Sequence, residues 1–226
     1  MDFNGTPALE ASWNGDVHSV MLRQVTKHLP GIKQENVAAV RLNTKLIPKV
    51  HTIDAESKLV DFALIADETL IPPKLVKQVL VDTRNSITSI SYTTYERVRL
   101  RPIYVSIETK TPDGEESTAL IQLLLWATTH FNRLRILLPI SQRYIIPMPL
   151  PLITIVGGRY SLFFAIDGED EIRIVGGESD FGNTATLEGC YQVLAGLERV
   201  GQWVRGVYVP WFVANCLPMI PRSEAC

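Results

Sequence analysis

The sequence predicts a single mixed α/β domain, a central β-sheet flanked by helices, and three observations carry that expectation. Segments with helical spacing alternate with short apolar runs in the order helix, strand, helix, strand, helix, strands, helix, which is the pattern of a layered α/β sandwich. Leu59 to Ala66, LVDFALIA, is a near-continuous apolar run with one acid inside it, the pattern of a central strand buried on both faces. The chain has 226 residues, 46% of them hydrophobic, enough to bury a large core in one domain.

Taken in order, residues 1–15 read as a loose N-terminal segment, with the domain running from 16 to 226. Asp16 is placed to cap a helix from Val17 to Leu29, whose apolar positions Val17, Met21, Val25 and Leu29 recur every four residues before Pro30 and Gly31 close it. Asn36 to Leu42 reads as an edge strand. Pro72 and Pro73 open a short helix to Val81. Residues 82–101 are polar and rich in Ser and Thr, and read as a long surface excursion. The strand Arg101 to Lys110 follows, and a Pro112-Asp113-Gly114 turn leads into a helix from Glu115 to Leu134. Pro139 to Pro151 reads as an apolar linker or wall. Leu152–Val156, Tyr160–Ile166 and Glu171–Val175 are strands, the first two joined at Gly157-Gly158. The acids of Asp167 to Asp180 read as a solvated loop. A helix from Thr184 to Val207 closes the core, and the amides of its opening turn Gly182-Asn183-Thr184 either hold an anion or are capped by Asn183 or Thr184.

Charge and cysteine content exclude several classes. The formal net charge is −2, a poor balance for a protein that works mainly by gripping a phosphate backbone. Three cysteines without a Cys-x-x-Cys spacing argue against a zinc site or a disulfide framework. The N-terminus lacks the basic and apolar regions of a secretory signal, and the apolar run Leu120 to Trp126 is too short to span a bilayer. An intracellular, cytoplasmic protein without membrane contact is expected.

The chemistry-bearing stretch is RPIYVSIETK, residues 101–110. Side chains alternate across a strand, so Glu108 and Lys110 share one face with Tyr104 and Ser106. A carboxylate and an ammonium side by side can hold a metal ion and activate water, or can merely pair with each other. Asp61 is the one acid in the buried strand and needs a partner, either at a shared site or in Lys58 or a nearby arginine. Gln122 follows on the next helix, as a site residue or as a satisfied core amide. Trp126, His130 and Arg133 lie at helical spacings from it and either line the same pocket or pack.

An acid on one strand, Glu-x-Lys on its neighbour and a glutamine on the following helix resembles the PD-(D/E)XK nuclease superfamily. Within it, the chain is similar to the large fungal group of nuclease-like proteins. VDFALI around Asp61, LRPIYVSIETK, ALIQLLLWATTHFNRLR with Gln122 and Trp126, and FGNTATLEGCYQVLAGLERVGQWVRGVYVPWF match that group in order, across roughly residues 37–216. The resemblance implies a restriction-endonuclease-like sandwich. It further implies Asp61 and Glu108 as Mg²⁺ ligands with the Thr109 carbonyl, Lys110 as the electrostatic and proton-handling group, and Gln122 as a positioning residue. The superfamily often adds a glutamate from its first helix, and residues 17–29 contain none. Forty-six residues separate Asp61 from Glu108, a long insertion.

Two functions follow. In the first, the nuclease-like fold serves as a small-molecule enzyme of fungal secondary metabolism. It folds an apolar substrate into reactive geometry for a cyclisation or pericyclic step and needs no cofactor. Tyr104, Trp126, His130, Arg133 and Met148 would bind the substrate, and Lys110, Glu108, Asp61 and Gln122 would act on it. In the second, the chain is a Mg²⁺-dependent nuclease, cytoplasmic or nuclear, that gathers Arg97, Arg99, Arg101, Arg133 and Arg135 for nucleic-acid phosphates. A silent binding module is the third reading. The acidic charge balance favours the first.

Overall fold

The computed structural model describes residues 10–48, 59–81 and 87–217. Lys58 and Cys226 lie outside them. A single sheet carries six strands in chain order: β1 (Ile32–Asn36), β2 (Phe62–Ala66), β3 (Ile103–Lys110), β4 (Leu150–Val156), β5 (Arg159–Asp167) and β6 (Ile172–Asn183). Every neighbouring pair is antiparallel except β3 and β4. A parallel pair needs a crossover, and the 22-residue helix α5 (Glu116–Leu137) supplies it. The expected mixed α/β sandwich is the architecture found.

Helix α1 (Glu10–Trp13), a π-helical turn (Asn14–His18) and α2 (Ser19–Lys27) follow one another without a break. Two short helices, α3 (Pro73–Val81) and α4 (Glu96–Arg99), lie in the β2–β3 connection. After β6 come α6 (Leu187–Trp203), a second π-helical turn (Val204–Tyr208) and α7 (Val209–Cys216). α5 packs on β3 and β4, while α6 packs on β6 and against α2.

Register assigns residues to the two faces. Glu108 stands opposite Thr154, and Thr154 opposite Ser161. This face belongs to α5, because Thr154 Oγ1 donates to Glu116 Oε1 at 2.7 Å. Thr109 stands opposite Ile155, and Ile155 opposite Tyr160. This face belongs to the N-terminal helix, because Tyr160 Oη meets His18 Nδ1 at 3.2 Å.

Several elements differ from expectation. The first helix begins at Glu10, ahead of Asp16, so the chain is already ordered across residues 10–15. The edge strand is Ile32–Asn36, and Leu42 makes only an isolated bridge to Thr93. The described part of the predicted surface excursion, from Ile87 on, runs through the core. Ser89, Ile90, Ser91, Tyr92 and Thr93 are buried. Tyr92 Oη meets Ser106 Oγ at 3.0 Å and Ser89 Oγ donates to the Arg99 carbonyl, while the Ser91 and Thr93 hydroxyls are buried without a partner among the described residues. The acid-rich loop is instead the strand β6. Two glycines with positive φ, Gly176 at 105° and Gly177 at 76°, accommodate its register shift against β5. Its acids stand on an edge strand, where charge is tolerated. α6 starts at Leu187 and is capped by Thr186, whose hydroxyl accepts from Gly189 N at 3.0 Å. Asn183 makes a local turn with Ala185 instead. The Gly157-Gly158 hairpin is as expected, with φ of 55° and 89° at its two glycines.

Candidate active site

β3 ends in Glu108-Thr109-Lys110 at the sheet's centre, and the neighbouring elements close on that end. Glu108 is 2% exposed. Lys110 Nζ donates to Glu108 Oε1 and lies 4.0 Å from Glu10 Oε2. The other oxygen, Glu108 Oε2, is buried with no hydrogen-bond partner among the described residues. A buried, unpartnered carboxylate oxygen is costly. Burial, then the nearby Asp61 charge, push the Glu108 carboxyl up to about 8 despite Lys110. The ammonium contact therefore does not outweigh desolvation, and burial shifts Glu108 toward its protonated form in the metal-free protein.

Asp61 sits just before β2 and is pinned by the next residue of β3. Thr109 N donates to Asp61 Oδ2 at 3.0 Å. The Thr109 hydroxyl lies 2.6 Å from Asp61 Oδ2 and 2.8 Å from Asn14 Oδ1, so one proton is shared between two acceptors. The π-helical turn brings Asn14 to this contact, and such turns recur at functional sites. Asp61 thus pairs with the β3 strand end rather than with an arginine.

Glu10 is the residue that the sequence reading missed. It lies four residues before Asn14, so the same helix face carries both to the strand end. Its carboxyl is raised, first by burial and then by Asp61, while Lys110 acts against both. A helical glutamate, absent from residues 17–29, stands instead at Glu10, six residues ahead of the predicted cap. Gln122 stands one step removed. Its Nε2 donates to the Leu59 carbonyl at 2.6 Å, tying α5 to the chain just before Asp61.

The other predicted site residues lie in the core. Trp126 is fully buried edge-to-face with Tyr92. His130 is stacked on Tyr92 at 4.7 Å between ring centroids, and its Nε2 meets Tyr208 Oη at 3.0 Å. Burial lowers its pKa to about 3, so it stays neutral. Tyr104 falls at the bulge where β2 and β3 lose register, and packs on Tyr208 at 4.9 Å. Arg133 is 1% exposed and donates from Nε to the Ile90 carbonyl at 3.4 Å, with its pKa lowered to about 10 by burial. Met148 is buried in the main core.

The expected phosphate-gripping arginines are already engaged. Arg97 forks onto Glu35 at 3.0 and 3.1 Å. Arg99 pairs with Glu96, Arg101 with Glu68, and Arg135 with the buried Asp167. None offers an uncommitted charge.

Two cavities flank the sheet, one at this end and one toward the start of β4. A polar one of about 330 Å³ opens on the Glu108 face, lined by Glu116, Arg159, Ser161 and Asp180 among others. An apolar one of about 270 Å³ lies on the opposite face, under α6, lined by Leu162, Phe164, Phe181 and Trp203.

Among the described residues, no three His, Cys, Asp or Glu side chains are gathered closely enough to hold a metal as they stand. Mg²⁺ keeps several waters and needs only one or two carboxylates. The orphaned Glu108 Oε2 and the pinned Asp61 fit that smaller demand. No helix among the described residues is long and apolar enough to cross a membrane. A comparison with protein-family models matches residues 4–209 to the PD-(D/E)XK nuclease superfamily. No curated protein and no solved structure matches the chain.

Proposed function

We propose, for a chain that belongs to the PD-(D/E)XK nuclease superfamily, that it is a Mg²⁺-dependent phosphodiester hydrolase working at the end of β3. The observation that carries this reading is Glu108 Oε2, a carboxylate oxygen buried beside Lys110 and Asp61 without a partner. A buried acid kept only for packing would have both oxygens satisfied. A hard cation gives that oxygen its partner and lets Glu108 ionise.

Asp61 and Glu108 would hold the ion, with the Thr109 carbonyl as a third ligand. The bound ion supplies charge neutralisation at the phosphate and an acidified water. Among the described residues Lys110 is the one cation at the cluster, and it is placed to orient that water and to offset charge on the phosphoryl oxygens. Thr109 fixes Asp61 through its amide and hydroxyl, Asn14 accepts from the same hydroxyl, and Gln122 fixes the backbone ahead of Asp61. Glu10 completes an acidic rim that tightens cation binding.

A second reading, the small-molecule enzyme, is favoured by the apolar cavity under α6 and by the committed arginines. That cavity lies across the sheet from Lys110, so such an activity would use Arg199 and Trp203 rather than the residues named from the sequence.

The test is hydrolysis of a fluorescent dinucleotide phosphodiester with Mg²⁺ or Mn²⁺. Wild type cleaves it, and Glu108→Gln and Lys110→Met each lose at least a hundredfold. Cleavage that survives both substitutions, or is absent with every divalent ion, rejects the reading.

A further inference from the structure

The polar cavity is joined to the cluster by strand register. Lys110 stands opposite Val156, and Val156 opposite Arg159. Glu108 stands opposite Thr154, then Ser161, then Asp180. Adjacent strands are about 4.8 Å apart, so Arg159 lies roughly 10 Å across the same face from Lys110. Glu116 reaches down from α5 and holds Thr154 between the two places.

Arg159 differs from the arginines singled out in the sequence. It is exposed and makes no ion pair with any described residue. Around it stand Glu116, Glu178 and Asp180. A groove that tracks a nucleic-acid strand needs a row of cations along the backbone. Here one cation stands among three carboxylates, which would repel a second and a third phosphate. Carboxylates instead accept hydrogen bonds from the amino groups of a base edge or from sugar hydroxyls. The cavity, at about 330 Å³, is at the small end of ligand pockets.

We infer that this cavity holds one nucleoside unit of the substrate. Arg159 grips the phosphate next along from the scissile one, which stays at Lys110, and Glu116 and Asp180 accept from the nucleoside's base or sugar. The substrate is then a mononucleotide-scale phosphodiester rather than a long strand followed along its backbone. This rests on the hydrolase reading above for its substrate class, and its test reads binding as well as turnover.

The test is calorimetric binding of nucleoside 5′-monophosphates in EDTA, with inorganic phosphate as the reference probe. Wild type binds a nucleotide more tightly than phosphate. Arg159→Ala, at an exposed position, weakens nucleotide and phosphate binding by roughly tenfold or more, the scale of a lost charge-assisted contact. Asp180→Asn weakens the nucleotide relative to phosphate, whose own binding holds or strengthens as a neighbouring negative charge is removed. The salt slope stays near that of one phosphate, about −0.7 to −0.9, and does not steepen with oligonucleotide length. No mononucleotide binding, unchanged affinity in Arg159→Ala, or a slope that steepens with strand length overturns the inference. Nucleotide binding that holds while dinucleotide cleavage fails rejects the hydrolase reading alone. Cleavage that holds without dependence on Arg159 rejects the cavity assignment alone.

Discussion

Replacing Glu108 by glutamine changes how the stability of the metal-free protein depends on pH. Burial and the Asp61 charge raise this carboxyl from 4.5 to about 8. Between those values the folded chain holds a proton that the unfolded chain releases. Stability from this group is therefore complete below pH 4.5 and is lost as pH rises through about 8. Each pH unit of such a shift corresponds to about 1.4 kcal/mol, which sets a ceiling near 5 kcal/mol. Water entry on ionisation and coupling to Asp61 reduce this to an expected change of about 2–4 kcal/mol. Glutamine does not titrate, so its own packing cost is constant with pH. The stability of Glu108→Gln relative to wild type should then rise by that amount from pH 5 to pH 8.5. Urea unfolding in EDTA at a series of pH values measures it, and thermal melts should show a relative gain of roughly 5–10 °C. A difference that stays flat across this range would mean that Glu108 is ionised and solvated throughout, and the reasoning from its orphaned oxygen would fail.

Further expectations follow from the same contacts. Thr109→Val keeps the shape but removes the hydroxyl between Asp61 and Asn14. It should cost about 1–3 kcal/mol in unfolding free energy and lower turnover. An unchanged denaturation midpoint would show that this hydrogen bond is not formed. Because His130 is neutral well below pH 5, His130→Phe should leave the pH profile of activity unaltered above pH 5, and a lost titration step would place His130 in the chemistry. The triple change of Arg97, Arg99 and Arg101 to alanine should leave nucleotide affinity unchanged, since each is held by a carboxylate; a large loss would restore them as phosphate contacts. Gly189→Ala places a methyl 1.9 Å from the Asn183 carbonyl oxygen, which is backbone. It should destabilise the α6–β6 contact by more than the ~1–3 kcal/mol typical of core overpacking, seen as loss of soluble protein or a much lower melting point.

The sheet centre was readable because its signals are local. β2 and β3 are apolar runs with few alternatives, and the Gly157-Gly158 turn permits one hairpin geometry. Asp61 and Glu108-x-Lys110 were found because acids in buried strands are rare. What escaped depends on distant partners. The segment from Ile87 to Val98 looks like surface because its serines and threonines are polar, yet Ser89, Ser91 and Thr93 are buried, and of their hydroxyls only that of Ser89 finds a partner among the described residues, the Arg99 carbonyl ten residues on. Glu10 escaped because the helix was started at Asp16, an adequate cap in sequence, whereas a π-helical turn lets it run on from Glu10. His130, Trp126 and Arg133 share the helical spacing of a pocket lining, but the same spacing serves a core facing Tyr92 and Tyr208. Arg97 and Arg101 look free in sequence, and their partners Glu35 and Glu68 are more than 30 residues away.

The most direct test of the account is a calorimetric titration of the apo protein with Mg²⁺ and Mn²⁺ at pH 7 and pH 8.5, using wild type, Asp61→Ala and Glu108→Gln. The account predicts binding in wild type that strengthens with pH, since the ion must displace the Glu108 proton, and its loss in both variants while they remain folded. Absence of binding in wild type, or binding that persists in both variants, would contradict it.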